Sequence, residues 1–527
     1  MFTSGKKYNK KLLFTSSAIV VAVFCLGVGL PESFSHATAW LKQNITLYFG
    51  PWFILLICGL TFLYGFIALS RYGKLKLGLA GETPEFSNFS WFAMLFSCGI
   101  GVGFLFWGIA EPMTHFMVAS PHNPHPLGDP AGYVAAMKIA IFHWGIYGWV
   151  GYMALGVPIG YFAYRYNLPL TTSSALFGLL GRRLKGPWGL VADLVAIFAT
   201  VFGVATTMGM GLMTMSYGIA AILGVTVTNA LLVILMVILV LCYMASAASG
   251  IHKGVKRLSN LNIYICLALM VFILLAGPTR MQINLMLETT GAYLSEFIYL
   301  GFYAGTSGEY DTWVSGWTIF YWCWFLSWGP FVGGFIARIS RGRSLREYIL
   351  GAIVLPTVFT LLWFCVLGGS AMYYEANNII AIWPVLEDNL GAGVFILLQA
   401  LPLPEFFSLV VLGSLLLFLI TTADSASILC AVMVCQDKRE PSVAMRCFWA
   451  LLIGAIGVVL LITGGLSSVQ SSCIVAALPL SLIVLLANIS LVRAMFRYEL
   501  KDKSQGHATP YESVDQVRED IDYLRSH

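Results

Sequence analysis

Two apolar segments interrupted by glycine constrain this chain more than any other feature: Ser97–Glu111 (SCGIGVGFLFWGIAE) and Trp317–Gly334 (WTIFYWCWFLSWGPFVGG). Each lies inside a stretch that hydropathy reads as membrane-spanning. The bilayer core offers no water to loose backbone groups, so an interrupted helix survives there only around a cavity or an ion. Two such segments, each opening a similar set of helices, predict a transporter whose substrate binds at mid-membrane. The second segment adds Trp317, Tyr321, Trp324, Phe325 and Trp328, a set that suits a cation-binding wall.

Composition agrees with the class. The chain is 58% hydrophobic and only 10% charged, with a mean hydropathy of +0.81. A soluble fold could not cover that much apolar surface. Twelve stretches are long enough to cross a hydrocarbon core, near 11–31, 48–70, 89–111, 134–164, 188–221, 227–248, 258–277, 313–337, 346–371, 403–434, 443–465 and 471–494. Basic residues collect in the loops of one side, in GKKYNKK, RYGKLK, GRRLK, HKGVKR and RISRGRSLR. Of 30 Lys and Arg only Lys42, Lys138 and Arg280 fall elsewhere. By the positive-inside rule both termini are expected in the cytoplasm. The net charge of +5 then reflects topology and gives no hint of nucleic-acid binding.

The 11 cysteines sit in or beside the expected helices, which predicts apolar packing and no disulfide framework. The loop at 112–133 holds His115, His122 and His125, which read as solvated loop histidines before they read as a metal site. Residues 278–312 form a polar, partly amphipathic segment expected to lie along the outer membrane face. The tail from 495 to 527 mixes acids and bases with no apolar stripe and reads as weakly ordered. No nucleotide-binding signature is present. No His/Asp/Glu or Ser/His set clusters at one depth, which disfavours an enzyme.

Local chemistry singles out four places. Gly99, Gly101 and Gly103 permit unwinding around Ile100, freeing carbonyls for Na⁺ or substrate. The aromatics of the 313–337 stretch fall within about a 100° arc at helical spacing and run into Ser327-Trp-Gly-Pro330, where the helix is expected to break or kink. Trp144, Trp149 and Tyr152 make a second fan, and facing rings with no acidic residue nearby suit a permanent cation. Phe418, Thr421 and Thr422 stand together on one later helix, where neutral oxygens suit Na⁺, although such hydroxyls also bond back to their own helix.

The motifs GIGVGFLFWGIAEP (99–112), FHWGIYGWVGY (142–152), WTIFYWCWFLSWGPFVGGFIARISRGRSLRE (317–347) and TTADSAS (421–427) together resemble the betaine/carnitine/choline transporter family. The resemblance implies an all-α integral membrane fold with 12 transmembrane helices and inverted five-helix repeats, leucine-transporter-like, typically assembled as a homotrimer. It divides the chain into a cytoplasmic N-terminus (1–10), two peripheral helices (11–88), a first repeat (89–277), an interfacial helix (278–312), a second repeat (313–494) and a cytoplasmic tail (495–527). It implies an aromatic box of Trp144, Trp149, Tyr152 and Phe325, with Trp324 and Trp328 on the substrate path. It implies a Na⁺ site from main-chain oxygens of Ser97, Ile100 and Phe418 with the Thr421 and Thr422 hydroxyls. Phe325 stands where betaine carriers carry Trp, and Gly103 where proton-coupled choline carriers carry Asp. The expected function is Na⁺-coupled import of a glycine betaine-like osmoprotectant across a bacterial inner membrane. The alternatives are choline, carnitine, taurine or dimethylsulfoniopropionate, or coupling to H⁺ or to no ion.

Overall fold

The computed structural model describes residues 8–78, 81–99, 101–249, 252–308, 311–435 and 441–496. Among them the architecture is helical, with only isolated β-bridges. The helices are α1 (Lys10–Gly29), α2 (Pro31–Leu69), α3 (Asn88–Gly99), α4 (Val102–Met117), α5 (Tyr133–Trp144), α6 (Ile146–Arg165), α7 (Phe177–Leu180), α8 (Pro187–Leu223) and α9 (Asn229–Ser249). There follow α10 (His252–Ala276), α11 (Thr279–Phe302), α12 (Asp311–Val314), α13 (Phe320–Ile339), α14 (Leu345–Ala376), α15 (Trp383–Asp388), α16 (Gly393–Gln399), α17 (Pro404–Met433) and α18 (Val443–Ala494). Eight runs among the described residues are long and apolar enough to cross a membrane, or nine if α10 and α11, bent by 110°, count together. Large apolar side chains such as Phe14, Trp40, Leu69 and Leu275 stay exposed, as an integral membrane protein requires.

Local chemistry sets the helix ends. Ser344 and Glu347 form a reciprocal capping box at the start of α14. Pro187 opens α8, and Gly224 closes it at φ +66°. Within α18, Gly464 and Gly465 leave helical geometry and divide it between the two stretches expected there. Gly465 lies at φ +57° and ψ −145°, a region that side chains with a Cβ avoid. Gly465→Ala is therefore expected to cost about 1–3 kcal/mol, read as a lower unfolding midpoint in detergent.

Two features correct the sequence expectations. The stretch at 134–164, taken as one helix, is divided at Gly145 into α5 and α6. The freed Ile146 N–H donates to Tyr293 Oη of α11 at 3.3 Å, so a distant helix satisfies the break. Conversely, α13 runs without interruption through Ser327–Pro330, and the irregularity lies earlier, in a π turn at Ser315–Ile319. Proline inside a membrane helix is tolerated where neighbours pack around it, and α6 covers this stretch of α13.

The start of α3 is stitched to the turn between α13 and α14. Arg343 donates to Asn88 Oδ1 and to the Phe86 carbonyl, each at 2.8 Å, and its guanidinium lies 4.2 Å from the Trp91 ring. Trp91 Nε1 donates to Ser340 Oγ at 2.9 Å. The Arg341–Glu82 pair beside it is more exposed and adds little to stability.

Candidate functional site

The break between α3 and α4 leaves Gly101 in extended backbone, and a small cavity opens beside it. Gly101, Val102, Gly103 and Phe104 form one wall. Opposite stand Trp144 at the end of α5, Tyr152 on α6, Thr207 on α8, and Trp324 and Trp328 on α13. The cavity measures about 10 Å³, room for about one water, so a substrate of osmolyte size needs these walls to part.

Edge-to-face and tilted ring contacts hold the wall together. Trp144 meets Trp324 at 5.7 Å and Phe325 at 5.3 Å between centroids, and Tyr152 meets Phe325 at 4.8 Å and Trp328 at 6.0 Å. Such geometries are favourable for aromatic pairs. Phe325 touches the box from behind, wedged against Gly148 and Gly151 of α6, and does not line the cavity. Trp149 packs on Tyr152 at 5.3 Å, also outside the lining. Trp317 turns away and lies 4.5 Å from the His115 ring. Gly103 is close-fitted: a Cβ there would stand 2.8 Å from the Trp144 ring and 3.1 Å from that of Trp324.

The polar groups of the wall differ in their partners. Trp328 Nε1 donates to the Gly203 carbonyl at 2.9 Å. Thr207 Oγ1 and Trp324 Nε1 are buried with no hydrogen-bond partner, so both remain free to serve a ligand. Thr206, one residue from Thr207, bonds back to Phe202 and to the Val469 carbonyl.

Of the expected Na⁺ ligands, Ile100 lies outside the described residues, as does the side chain of Ser97. On α17 the Thr421 hydroxyl donates to the Leu417 carbonyl at 2.8 Å and lies 3.2 Å from the Phe418 carbonyl, while Thr422 is half-buried. Thr421 therefore keeps acceptor lone pairs for a cation, its proton being spent on its own helix.

A buried carboxylate stands directly behind the aromatic wall, which corrects the expectation of rings with no acidic residue nearby. Glu111 on α4 is 0% exposed. Its Oε2 accepts from Trp144 Nε1 at 2.8 Å and from Tyr321 Oη at 2.5 Å, and its Oε1 lies 2.6 Å from His143 Nδ1. His143 Nε2 reaches Thr318 Oγ1 at 3.0 Å. His115, read from sequence as a loop residue, lies in α4 and is buried, its Nε2 3.5 Å from Glu111 Oε1. Glu111, His115 and His143 thus do gather at one depth, contrary to the sequence expectation. His125 is exposed. In the loop after α4, burial and then the charge of Lys138 push the His122 imidazole down to about 4, so it is neutral at physiological pH. The sequence signal for the cluster was a glutamate inside an apolar stretch, which by itself marks a functional position.

Comparison with known proteins places the fold and the site in context. The model of the family described as BCCT, betaine/carnitine/choline family transporter, matches residues 11–500. A probable glycine betaine transporter of Desulfitobacterium hafniense (strain Y51) is 36% identical over 502 residues, covering 93% of this chain and 98% of that protein. The glycine betaine transporter OpuD of Bacillus subtilis (strain 168) is 35% identical, covering 93% of this chain and 95% of that protein. The high-affinity choline transport protein of Escherichia coli (strain K12) is 35% identical, covering 93% of this chain and 72% of that protein. A helical multi-pass membrane chain with a ring-walled cavity at a helix break, matched along nearly its whole length, belongs to the betaine/carnitine/choline transporter family, whose members are transporters and not enzymes.

Proposed function

We propose that this protein imports a zwitterionic quaternary-ammonium osmolyte, glycine betaine or a close analogue, by Na⁺ symport and alternating access. The observation that carries the reading is the cavity at the Gly101 break, walled by Trp144, Tyr152, Trp324 and Trp328. Ring faces attract a trimethylammonium group with roughly 1–2 kcal/mol each once water is excluded. The free donors Thr207 Oγ1 and Trp324 Nε1 suit the carboxylate of the same molecule. A zwitterion is favoured over choline because Gly103 leaves no room for an acidic side chain between Trp144 and Trp324. Two of the relatives at 35–36% identity bear glycine betaine in their names.

Na⁺ would sit between the Ser97–Ile100 main chain and Phe418, Thr421 and Thr422, stabilising the same closed state as the substrate. The fold proposed around it has 12 spans, repeats at 89–277 and 313–494, cytoplasmic termini and a bacterial inner membrane as its setting. The irregular backbone at the head of each proposed repeat, Gly101 in one and the π turn Ser315–Ile319 in the other, supports that division. A homotrimer is the proposed assembly.

The test is uptake in proteoliposomes. Labelled glycine betaine is expected to accumulate under an inward Na⁺ gradient and to be displaced by cold betaine ahead of choline, carnitine, taurine and dimethylsulfoniopropionate. Accumulation of equal size without Na⁺ overturns the coupling. Stronger displacement by another compound reassigns the substrate.

A further inference from the structure

The Glu111 carboxyl group stands one ring behind the cavity, held by three hydrogen bonds. An indole N–H can only donate, so Oε2 is an acceptor toward Trp144 at 2.8 Å, and the Tyr321 hydroxyl donates to the same oxygen. Oε1 lies 2.6 Å from His143 Nδ1, whose Nε2 lies 3.0 Å from Thr318 Oγ1. An ionised carboxylate beside a neutral imidazole is compatible with these three bonds, Nδ1 then donating and Nε2 accepting. A metal ion fits these donors poorly. The ligands of a tetrahedral ion stand roughly 3.3 Å apart, whereas Oε1 and Nδ1 are at hydrogen-bond separation.

We propose that Glu111 is a positioning and selectivity residue that makes the cavity wall prefer a cation, by polarising Trp144 and by placing a negative charge behind it. Charge-assisted hydrogen bonds draw electron density into the donor's ring. A ring richer in electrons attracts a cation more strongly through its face. With the site dry, the carboxylate's field also passes through the wall with little screening. Trp144 is the link, because it lines the cavity with its ring and donates to Glu111 with its nitrogen. Tyr321 extends the same polarisation to Phe325, on which it stacks at 5.6 Å.

This inference rests on the proposed cationic substrate, so its test must separate the two. The probes are glycine betaine and 3,3-dimethylbutanoate, which has the same shape with carbon in place of the charged nitrogen. Their dissociation constants are read from intrinsic tryptophan fluorescence of the purified full chain in detergent. The native protein is expected to prefer betaine. Glu111→Gln is expected to weaken betaine on the order of 10-fold and to leave the isostere unchanged or tighter. Glu111→Asp against Glu111→Asn repeats the comparison at a second chain length: the aspartate keeps the preference and the asparagine loses it.

A native protein that binds both probes equally overturns the cationic substrate and this inference with it. A native preference that survives in both amide variants overturns this inference alone. So does an equal loss on both probes, the signature of a merely structural role.

Discussion

Gly156→Leu is expected to prevent folding. α6 and α13 cross at Gly156 and Gly333 with their main chains in contact. A Cβ on Gly156 would stand 2.8 Å from both the Gly333 Cα and its carbonyl oxygen, and 2.6 Å from Tyr348 Oη. A Cβ on Gly333 would stand 2.6 Å from the Gly156 nitrogen. Side-chain overpacking ordinarily costs about 1–3 kcal/mol because rotamers yield. Here the obstacle is backbone, so the helices must separate, and the cost should exceed about 3 kcal/mol. Close approach of small residues is also what holds membrane helices together in the absence of a hydrophobic drive between them. The check is size-exclusion chromatography of detergent extracts. A monodisperse peak with unchanged thermal midpoint for Gly156→Leu would refute this account, and Gly156→Ala should fall between it and the native chain.

Trp144→Ala should weaken uptake strongly while leaving the chain folded. Losing the ring removes a cavity wall and a cation–π partner worth up to about 2 kcal/mol. It also strands an acceptor of Glu111 in a buried setting, which lowers stability by about 1–3 kcal/mol. The loss of the cation–π partner should raise the half-saturation of betaine uptake by about 10- to 30-fold. Trp149→Ala provides the contrast. Trp149 lies outside the cavity lining and its indole is 3.5 Å from Thr360 Oγ1, so its loss should act through Tyr152 and weaken uptake less. Equal defects in the two variants would show that the cavity wall is drawn wrongly. Thermal midpoints in detergent distinguish a binding defect from unfolding in both.

Much of the fold was legible because its signals are local. Hydropathy and chain length mark spans wherever lipid replaces water, and charge in the short loops marks orientation. The Gly99–Gly103 run announced a break, and the structure has one at Gly101. Other breaks were not legible. Gly145 divides α5 from α6 because Tyr293, far along the chain, accepts the freed Ile146 N–H. Pro330 leaves α13 unbroken because α6 packs beside it. In both cases a neighbouring helix overrides what the local sequence would do alone.

The sequence by itself determined the class of the molecule, a helical membrane protein, and supplied the aromatic residues expected at a cation site. Only the tertiary structure decided which rings line the cavity. Trp144, Tyr152, Trp324 and Trp328 line the cavity, while Phe325 and Trp149 stand behind them. It also decided that a carboxylate backs the wall. Glu111 reaches a partner 32 positions away in His143 and another 210 positions away in Tyr321. Periodicity reports which face of a helix a residue occupies, but not which other helix that face will meet. A buried charge is tolerated only where several such faces converge with donors in hand.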